Sequence, residues 1–384
     1  MSRPDTMEQG PIRPPSEAKS LLLRVTRNCP WNKCVFCGVY KDEKFSRRTV
    51  AEVTGDIAQA AKAAEGIKEL SLKEGEGGRV TGRVVQALFD RPDFSDPLFR
   101  TVAVWLYYGG QNVFIQDADS LIMDAGEMVS ILEHLKTAFP AVRRITTYCR
   151  SLTAVHKSPG ELAGLRKAGL TRIHVGMESG SDAVLKFMRK GVTAAGHIEG
   201  GRKIKAAGFS LCQYVMPGLG GKRWTGEHAA ETARVINAVN PDFVRLRTLH
   251  VYPGAPLMEM MARGEFVPLG DEEILREIQA LLGALEGIET TIVSDHMLNL
   301  LEELEGTLPG DKGKMLAVLD RYFSLSETDR LIFRLGRRQG LYHRLEDLNS
   351  SVNYGHLKAI VDQYETREKG SMEKHLSQFL PDCL

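Results

Sequence analysis

Apolar positions along this chain follow two alternating rhythms. Short apolar or β-branched runs have the length and composition of buried strands: SLLLRVT at 20–26, NVFIQ at 112–116, RRITTYCRS at 143–151, TRIHVGMESG at 171–180, FSLCQYVMPGLGG at 209–221 and DFVRLRTLHVYPG at 242–254. Between them, apolar residues recur at helical spacing over 49–64, 125–138, 158–169, 181–191, 193–208 and 225–240. Two further helical patterns, at 80–89 and 97–107, follow the GEGG punctuation at 75–78 and read as an insertion beside the core. Six strands alternating with helices predict an α/β fold with a parallel sheet and right-handed crossovers, either open and doubly wound or closed as a barrel. Polar residues gather at the strand C-terminal ends, where such folds place their sites.

The rhythm changes after Pro256. Long helical patterns such as 271–287 dominate, with one strand-like piece at 290–296, in which His296 reads as a cap residue and not a ligand. The N-terminal residues are Pro-rich and polar and predict an extended, weakly ordered arm. The expected organisation is a tail over 1–17, a core over 18–265 and a helical cap over 266–384.

Composition narrows the class of protein. A net charge of +1 with 26% charged residues gives no sign of a nucleic-acid-binding surface, so nucleic acid is an unexpected partner. No apolar run is long enough to span a membrane and the N-terminus lacks a secretion signal, which predicts a cytoplasmic protein with no membrane contact. Six cysteines in 384 residues are too few for a disulfide framework. Cys149 and Cys212 fall on strands and read as inert core thiols. Cys383 is not fourth from the end, as a prenylation signal requires.

Three cysteines are different. Cys29, Cys34 and Cys37 lie within nine residues, just after the first strand, with basic residues on both sides. A structural zinc site normally has a fourth protein ligand close by, and none follows nearby. Three thiolates alone also suit an iron-sulfur cluster with one open iron. Elsewhere, Asp117 and Asp119 read as turn residues or as ligands at a strand exit. Arg150 reads as a surface charge or a group reaching into the site. Glu178 reads as a helix-start carboxylate or a polar contact, and Lys190 as a helix-end cation or a ligand contact.

Together the cysteine loop, the ordered βα units and MESGSDAVLKFMRKG at 177–191 resemble the radical S-adenosylmethionine (radical SAM) superfamily. The likeness covers about 18–265 and is nearest to the branch of coproporphyrinogen dehydrogenases and methylthiotransferases. It implies a partial (βα)6 TIM-like barrel with a mainly helical C-terminal extension. It implies a [4Fe-4S] cluster on Cys29, Cys34 and Cys37, although the family spacing is C-x3-C-x2-C and this chain has C-x4-C-x2-C. Phe36 matches the aromatic residue before the last cysteine. By the same resemblance Glu178 contacts the ribose of S-adenosylmethionine and Lys190 its carboxylate, Arg150 reaches cofactor or substrate, and Asp117 or Asp119 replaces the carboxylate that holds the ammonium group. YVMPGLGG at 214–221 and HVYPGAPL at 250–257 resemble the exits of strands five and six. The implied activity is reductive cleavage of S-adenosylmethionine and hydrogen abstraction from an organic substrate, with flavodoxin or ferredoxin as reductant. Haem trafficking with a retained cluster, and modification of tRNA or protein, are the alternatives.

Overall fold

The structure, a computed structural model, describes residues 7–91 and 96–378. In chain order the first half forms β1 (Leu21–Arg24), β2 (Thr26–Arg27), β3 (Ser46–Arg47), α1 (Val50–Lys73), α2 (Gly82–Phe89), α3 (Pro97–Tyr107), β4 (Asn112–Gln116), α4 (Ala125–Ala138), β5 (Arg144–Cys149), α5 (Ser151–His156) and α6 (Pro159–Lys167). It continues through β6 (Arg172–Glu178), α7 (Asp182–Phe187), α8 (Ala194–Ala206), β7 (Ser210–Val215), α9 (Gly221–Val239), β8 (Phe243–Leu246) and α10 (Pro256–Ala262). The remainder is α11 (Asp271–Ala284), β9 (Thr291–Val293), β10 (Gly306–Thr307), α12 (Lys312–Ser324), α13 (Glu327–Arg338), α14 (Ser351–Arg367) and α15 (Ser371–Gln378). The predicted α/β alternation and the helical C-terminal part are both present. Cys383 lies outside the described residues.

The chain divides into two compact units, one of residues 1–177, 188–213 and 252–256, the other of residues 178–187, 214–251 and 257–384. In the first, β1, β4, β5 and β6 are parallel neighbours, with Leu22 opposite Phe114, Phe114 opposite Thr146 and Tyr148 opposite His174. One face of this sheet carries the Phe114, Tyr148 and His174 rings, in contact with one another. The other face carries Val113, Ile115, Ile145, Cys149, Ile173 and Val175, all buried. Near-continuous apolar runs are what a parallel strand covered on both sides requires. Helix α1 starts at a capping box, in which Thr49 Oγ1 accepts from the Glu52 N–H at 3.2 Å and Glu52 accepts from the Thr49 N–H at 2.7 Å. It runs nine residues past its expected end at Ala64 because Ile67 and Leu70 prolong the buried stripe.

The N-terminal arm differs from expectation. Residues 7–17 are packed: Met7 is buried, the Gly10 N–H donates to Gln116 Oε1 at 3.0 Å, and Gln116 Nε2 donates to the Ile12 carbonyl at 2.7 Å. Glu17 is fully buried and accepts from Arg144 at 3.0 Å and from Ser20 at 2.5 Å. One glutamine amide and a few distant arginines satisfy the arm, and such long-range pairings leave no local sequence pattern.

In the second unit β8 runs parallel to β9, and β9 antiparallel to β10. Strand β8 stops at Leu246, short of the expected run to 254. The reason is Asn299, whose Oδ1 accepts from the Thr248 N–H at 2.9 Å while its Nδ2 donates to the Leu246 carbonyl at 2.8 Å. A side chain has taken the place of the next ladder bonds. Helix α13 buries Arg334, which pairs with Asp271 at 2.9 Å, and Arg337, which pairs with Glu302 at 2.7 Å. Among the described residues no helix is long and apolar enough to cross a membrane.

Helices α5 and α8 of the first unit meet through His197, fully buried, with Nδ1 2.6 Å from Ser151 Oγ. Burial, with the charges of Lys190 and Arg150, lowers its pKa to about 3. The imidazole is therefore neutral in the fold, whereas the unfolded chain takes up a proton below about pH 6.5. Stability from this group is full above pH 6.5 and is lost as the pH falls toward 3. Acidification from pH 7 to 5 should cost roughly 2 kcal/mol through His197 alone. Thermal unfolding of wild type against His197→Asn checks this, since the variant should show a flatter profile over that range.

Candidate metal centre

The cysteine loop is closed at its base and docked along its length. Its base is the β2–β3 pair, with Thr26 opposite Arg47 and Arg27 opposite Ser46. Within the loop, Asn28 at φ 66° and Asn32 at φ 44° take left-handed conformations, which asparagine tolerates better than most residues. The turn at Asn32 aims its N–H at Cys29 Sγ, 3.4 Å away, so the additional residue between Cys29 and Cys34 is taken up in a tight turn. The Val35 N–H donates to the Met188 carbonyl at 3.1 Å and the Trp31 indole N–H to the Arg189 carbonyl at 2.7 Å.

Trp31 was not among the residues expected at the site. Its ring covers Gly191, where a Cβ would lie 2.2 Å from it, and the Arg150 guanidinium and Lys33 ammonium each lie 4.9 Å from the ring centre. The available signal was a large aromatic side chain placed between the first two cysteines, beside Asn32 and Lys33. Arg150 also donates to the Lys190 carbonyl at 2.9 Å, and Lys190 Nζ lies 5.8 Å from the Phe36 ring centre. Cys29, Cys34, Cys37, Phe36, Arg150 and Lys190 are thus gathered in one place.

The three thiols are free and half-buried. Burial pushes the Cys34 thiol up, Lys190 and Arg150 pull it down, and Cys37 and Cys29 add to the rise. Ligation must therefore displace a proton, and the two cations offset the resulting negative charge. Among the described residues, no three His, Cys, Asp or Glu side chains are arranged to hold a single metal ion. Three thiols on one loop are the donor chemistry that an iron-sulfur cluster takes.

Asp117 and Asp119 are fully buried and already occupied by protein donors. Asp117 accepts from Arg24 Nη2 at 2.7 Å, from the Asn28 N–H at 3.3 Å and from the Tyr40 hydroxyl. Burial, then the Asp117 charge, push the Tyr40 hydroxyl far up. Asp119 accepts from the Arg150 N–H at 3.1 Å and from Thr153 Oγ1 at 2.6 Å, and burial raises its pKa to about 6. A groove of about 330 Å³ opens beside Arg150, lined also by Leu121, Ile122, Thr153, His156 and Lys157.

Glu178 belongs to the second unit. It has a left-handed backbone at φ 67°, strain that a non-glycine residue keeps only when its neighbours hold it. Its carbonyl accepts from the Met216 N–H at 2.9 Å. The next three residues are tied to α9: Ser179 Oγ lies 2.8 Å from His228 Nδ1, the Gly180 N–H donates to Thr232 at 2.9 Å, and Ser181 Oγ donates to Glu227 at 2.6 Å. His228 Nε2 faces the Met216 carbonyl at 3.1 Å, so that nitrogen carries the proton. Glu277 accepts from the Gly218 N–H and from Thr225, both at 2.7 Å, which fixes the turn after β7. The MESGS and PGLGG segments are thereby held by one buried polar group of side chains.

Residues 100–236 match the family described as the Radical SAM superfamily, a stretch that begins beyond the cysteine loop. The chain is 23% identical over 257 residues to a tRNA uridine(34) acetyltransferase of Methanocaldococcus infernus, covering 65% of this chain and 46% of that protein. It is 31% identical over 242 residues to a tRNA-2-methylthio-N(6)-dimethylallyladenosine synthase of Alkalilimnicola ehrlichii, covering 60% of this chain and 42% of that protein. It therefore spans less than half the length of these relatives. A solved structure of coproporphyrinogen III oxidase from Escherichia coli resembles it with a TM-score of 0.42 at 13% identity, covering 93% of this chain and 83% of that one. Two of these relatives carry tRNA in their names, so the expectation against a nucleic-acid partner, drawn from bulk charge, has no support. Net charge sums over the whole surface and is blind to a local binding face.

Proposed function

We propose that this chain is a radical S-adenosylmethionine enzyme in which Cys29, Cys34 and Cys37 hold a [4Fe-4S] cluster for radical chemistry on an organic substrate. When bound, the cofactors supply one-electron cleavage of the sulfonium, drawn from a flavodoxin- or ferredoxin-type reductant, and a 5'-deoxyadenosyl radical that takes hydrogen from the substrate.

The observation that carries this reading is the gathering of three free thiols on one docked loop, under the positive charge of Lys190 and Arg150. Lys190 is the proposed partner of the methionine carboxylate, a cation whose backbone is fixed through the neighbouring Arg189 and Met188 carbonyls. Glu178 is the proposed acceptor for the ribose hydroxyls. Phe36 and Trp31 exclude water around the loop. Residues 18–265 are read as the catalytic segment and 266–384 as a helical cap, in a protein that works in the cytoplasm.

The test is anaerobic reconstitution with iron and sulfide, followed by reduction with dithionite and chromatography for 5'-deoxyadenosine. A protein that holds a single zinc and yields no nucleoside overturns the reading. Haem binding without nucleoside formation would favour haem trafficking instead. Lys190→Ala should weaken S-adenosylmethionine binding about tenfold to a hundredfold, the worth of a charged hydrogen bond, with iron content intact. Loss of iron in that variant would make Lys190 a support of the loop.

A second reading keeps the chemistry and makes tRNA the substrate. It is supported by the two tRNA-modifying relatives. Added tRNA should then raise the yield of 5'-deoxyadenosine per chain, and an unchanged yield removes this reading.

A further inference from the structure

We propose that Asp117 is a positioning residue that clasps the two ends of the cysteine loop, keeping the three thiols at the spacing a cluster needs, and that residues 7–12 strap this clasp shut. The proposal rests on Cys29, Cys34 and Cys37 being the cluster ligands.

The donors around Asp117 come from both sides of the loop. The Asn28 N–H, one residue before Cys29, donates to Oδ2 at 3.3 Å, and the Tyr40 hydroxyl, three residues after Cys37, donates to Oδ1. Arg24, at the end of β1, adds two bonds to Oδ2, at 2.7 Å from Nη2 and 3.2 Å from Nε. Asn28 Nδ2 also reaches the Lys44 carbonyl at 2.8 Å, Lys41 Nζ reaches the Asn32 carbonyl at 2.9 Å, and Asn32 Nδ2 donates to the Tyr40 carbonyl. A single carboxylate therefore joins the entry and the exit of the ligand-bearing segment, inside the β2–β3 pair that closes the base of the loop. Tethering both ends removes much of the conformational entropy that ligation would have to overcome.

The strap meets the same carboxylate. A Cβ at Gly10 would come within 3.0 Å of Asp117 Oδ1, so the backbone of the arm touches the carboxylate there. Gln116, the residue before Asp117, grips the arm by its side-chain amide, accepting from the Gly10 N–H and donating to the Gly10 and Ile12 carbonyls. Glu8 pairs with Arg24 at 3.1 Å, Arg27 at 2.7 Å and Arg48 at 3.4 Å, which ties the arm to the strands at the base of the loop. With four protein donors and no exposed surface, the Asp117 carboxylate is fully employed in this network. Holding the ammonium group of S-adenosylmethionine, the role the family resemblance suggests for this position, would require it to give up some of these bonds.

Tyr40→Phe removes one arm of the clasp and keeps the buried ring, and Asp117→Asn removes the charge. Gly10→Ala pushes the strap away. Each protein, reconstituted anaerobically, is followed by iron release to a ferrous chelator, by thermal unfolding, and by the change that S-adenosylmethionine makes in the electron paramagnetic resonance signal of the reduced cluster. Tyr40→Phe and Asp117→Asn should release iron about tenfold faster than wild type, the factor for one charged hydrogen bond. Gly10→Ala should release it faster by a smaller factor. The unfolding temperature of Tyr40→Phe should fall by a few degrees, the cost of one buried hydrogen bond, and all three variants should keep the response to S-adenosylmethionine. Wild-type release rates in Tyr40→Phe and Asp117→Asn overturn the clasp. Loss of the S-adenosylmethionine response at an unchanged release rate makes Asp117 a cofactor contact instead. Release no faster than wild type, once each protein is compared at the same interval below its own unfolding temperature, reduces it to general stability. A wild-type protein that takes up no iron overturns the cluster reading itself, an outcome separate from failure of the variants.

Discussion

Cys34→Ala should give a folded protein that fails to retain the proposed cluster: iron should fall from about four per chain to a small residue, and 5'-deoxyadenosine formation should disappear. Cys34 is the thiol on which the local field converges, pushed up by burial and by Cys37 and Cys29, and pulled down by Lys190 and Arg150. Its loss leaves two thiols on the loop, too few to hold three irons. The fold should survive, because the backbone contacts of the loop, from Val35 to Met188 and from the Trp31 indole to Arg189, do not use the thiol. Cys149→Ala is the control, a buried thiol on β5 that donates to the Arg150 carbonyl at 3.1 Å, and its removal should leave iron unchanged. Full iron and full activity in Cys34→Ala would remove the cluster assignment.

Gly180→Ala is expected to be the most damaging single methyl in the chain. A Cβ there would lie 2.3 Å from the Glu231 carbonyl oxygen and 2.6 Å from Thr232 Cα, both backbone atoms of α9. No rotamer change relieves a clash with helix backbone, so the segment after Glu178 must move bodily. The Gly180 N–H bond to Thr232 would be lost with it. A cost of about 3 kcal/mol or more is expected, at the upper end for overpacking. Denaturant unfolding reads it directly. Gly191→Ala is the instructive comparison. There the clash is with the Trp31 ring, a side chain that can swing away, so stability should fall less while the docking of the cysteine loop suffers more. Equal unfolding midpoints for Gly180→Ala and wild type would mean that α9 yields where it is drawn as rigid.

Much of the architecture was legible because it is written in local periodicity. Strand β4 and helices α3 and α4 occupy the residues their patterns predict, since an apolar face of fixed period has one way to be buried. The exceptions are places where a distant group intervenes. Asn299 ends β8 early, and the glycines at 218 and 221, at φ 87° and 54°, turn the chain after β7 where an apolar run suggested more strand. Arg334 and Arg337 of α13 are buried against Asp271 and Glu302, partners that no local pattern marks.

The candidate site divides in the same way. The sequence by itself determined the chemistry available: three thiols at close spacing, two cations, and a carboxylate in a segment that matches a known family. Spacing along the chain is local information, and so are residue types. Only the tertiary structure decided which of those groups meet and what each is free to do. It brought Lys190 and Arg150 to the loop through Trp31, a residue with no motif to announce it. It surrounded Asp117 with Arg24, Asn28 and Tyr40, partners up to 93 residues away, and laid the N-terminal arm across it. The physical reason is that a carboxylate's role is set by the donors that reach it. Those donors are assembled by packing, at sequence separations that no periodicity encodes.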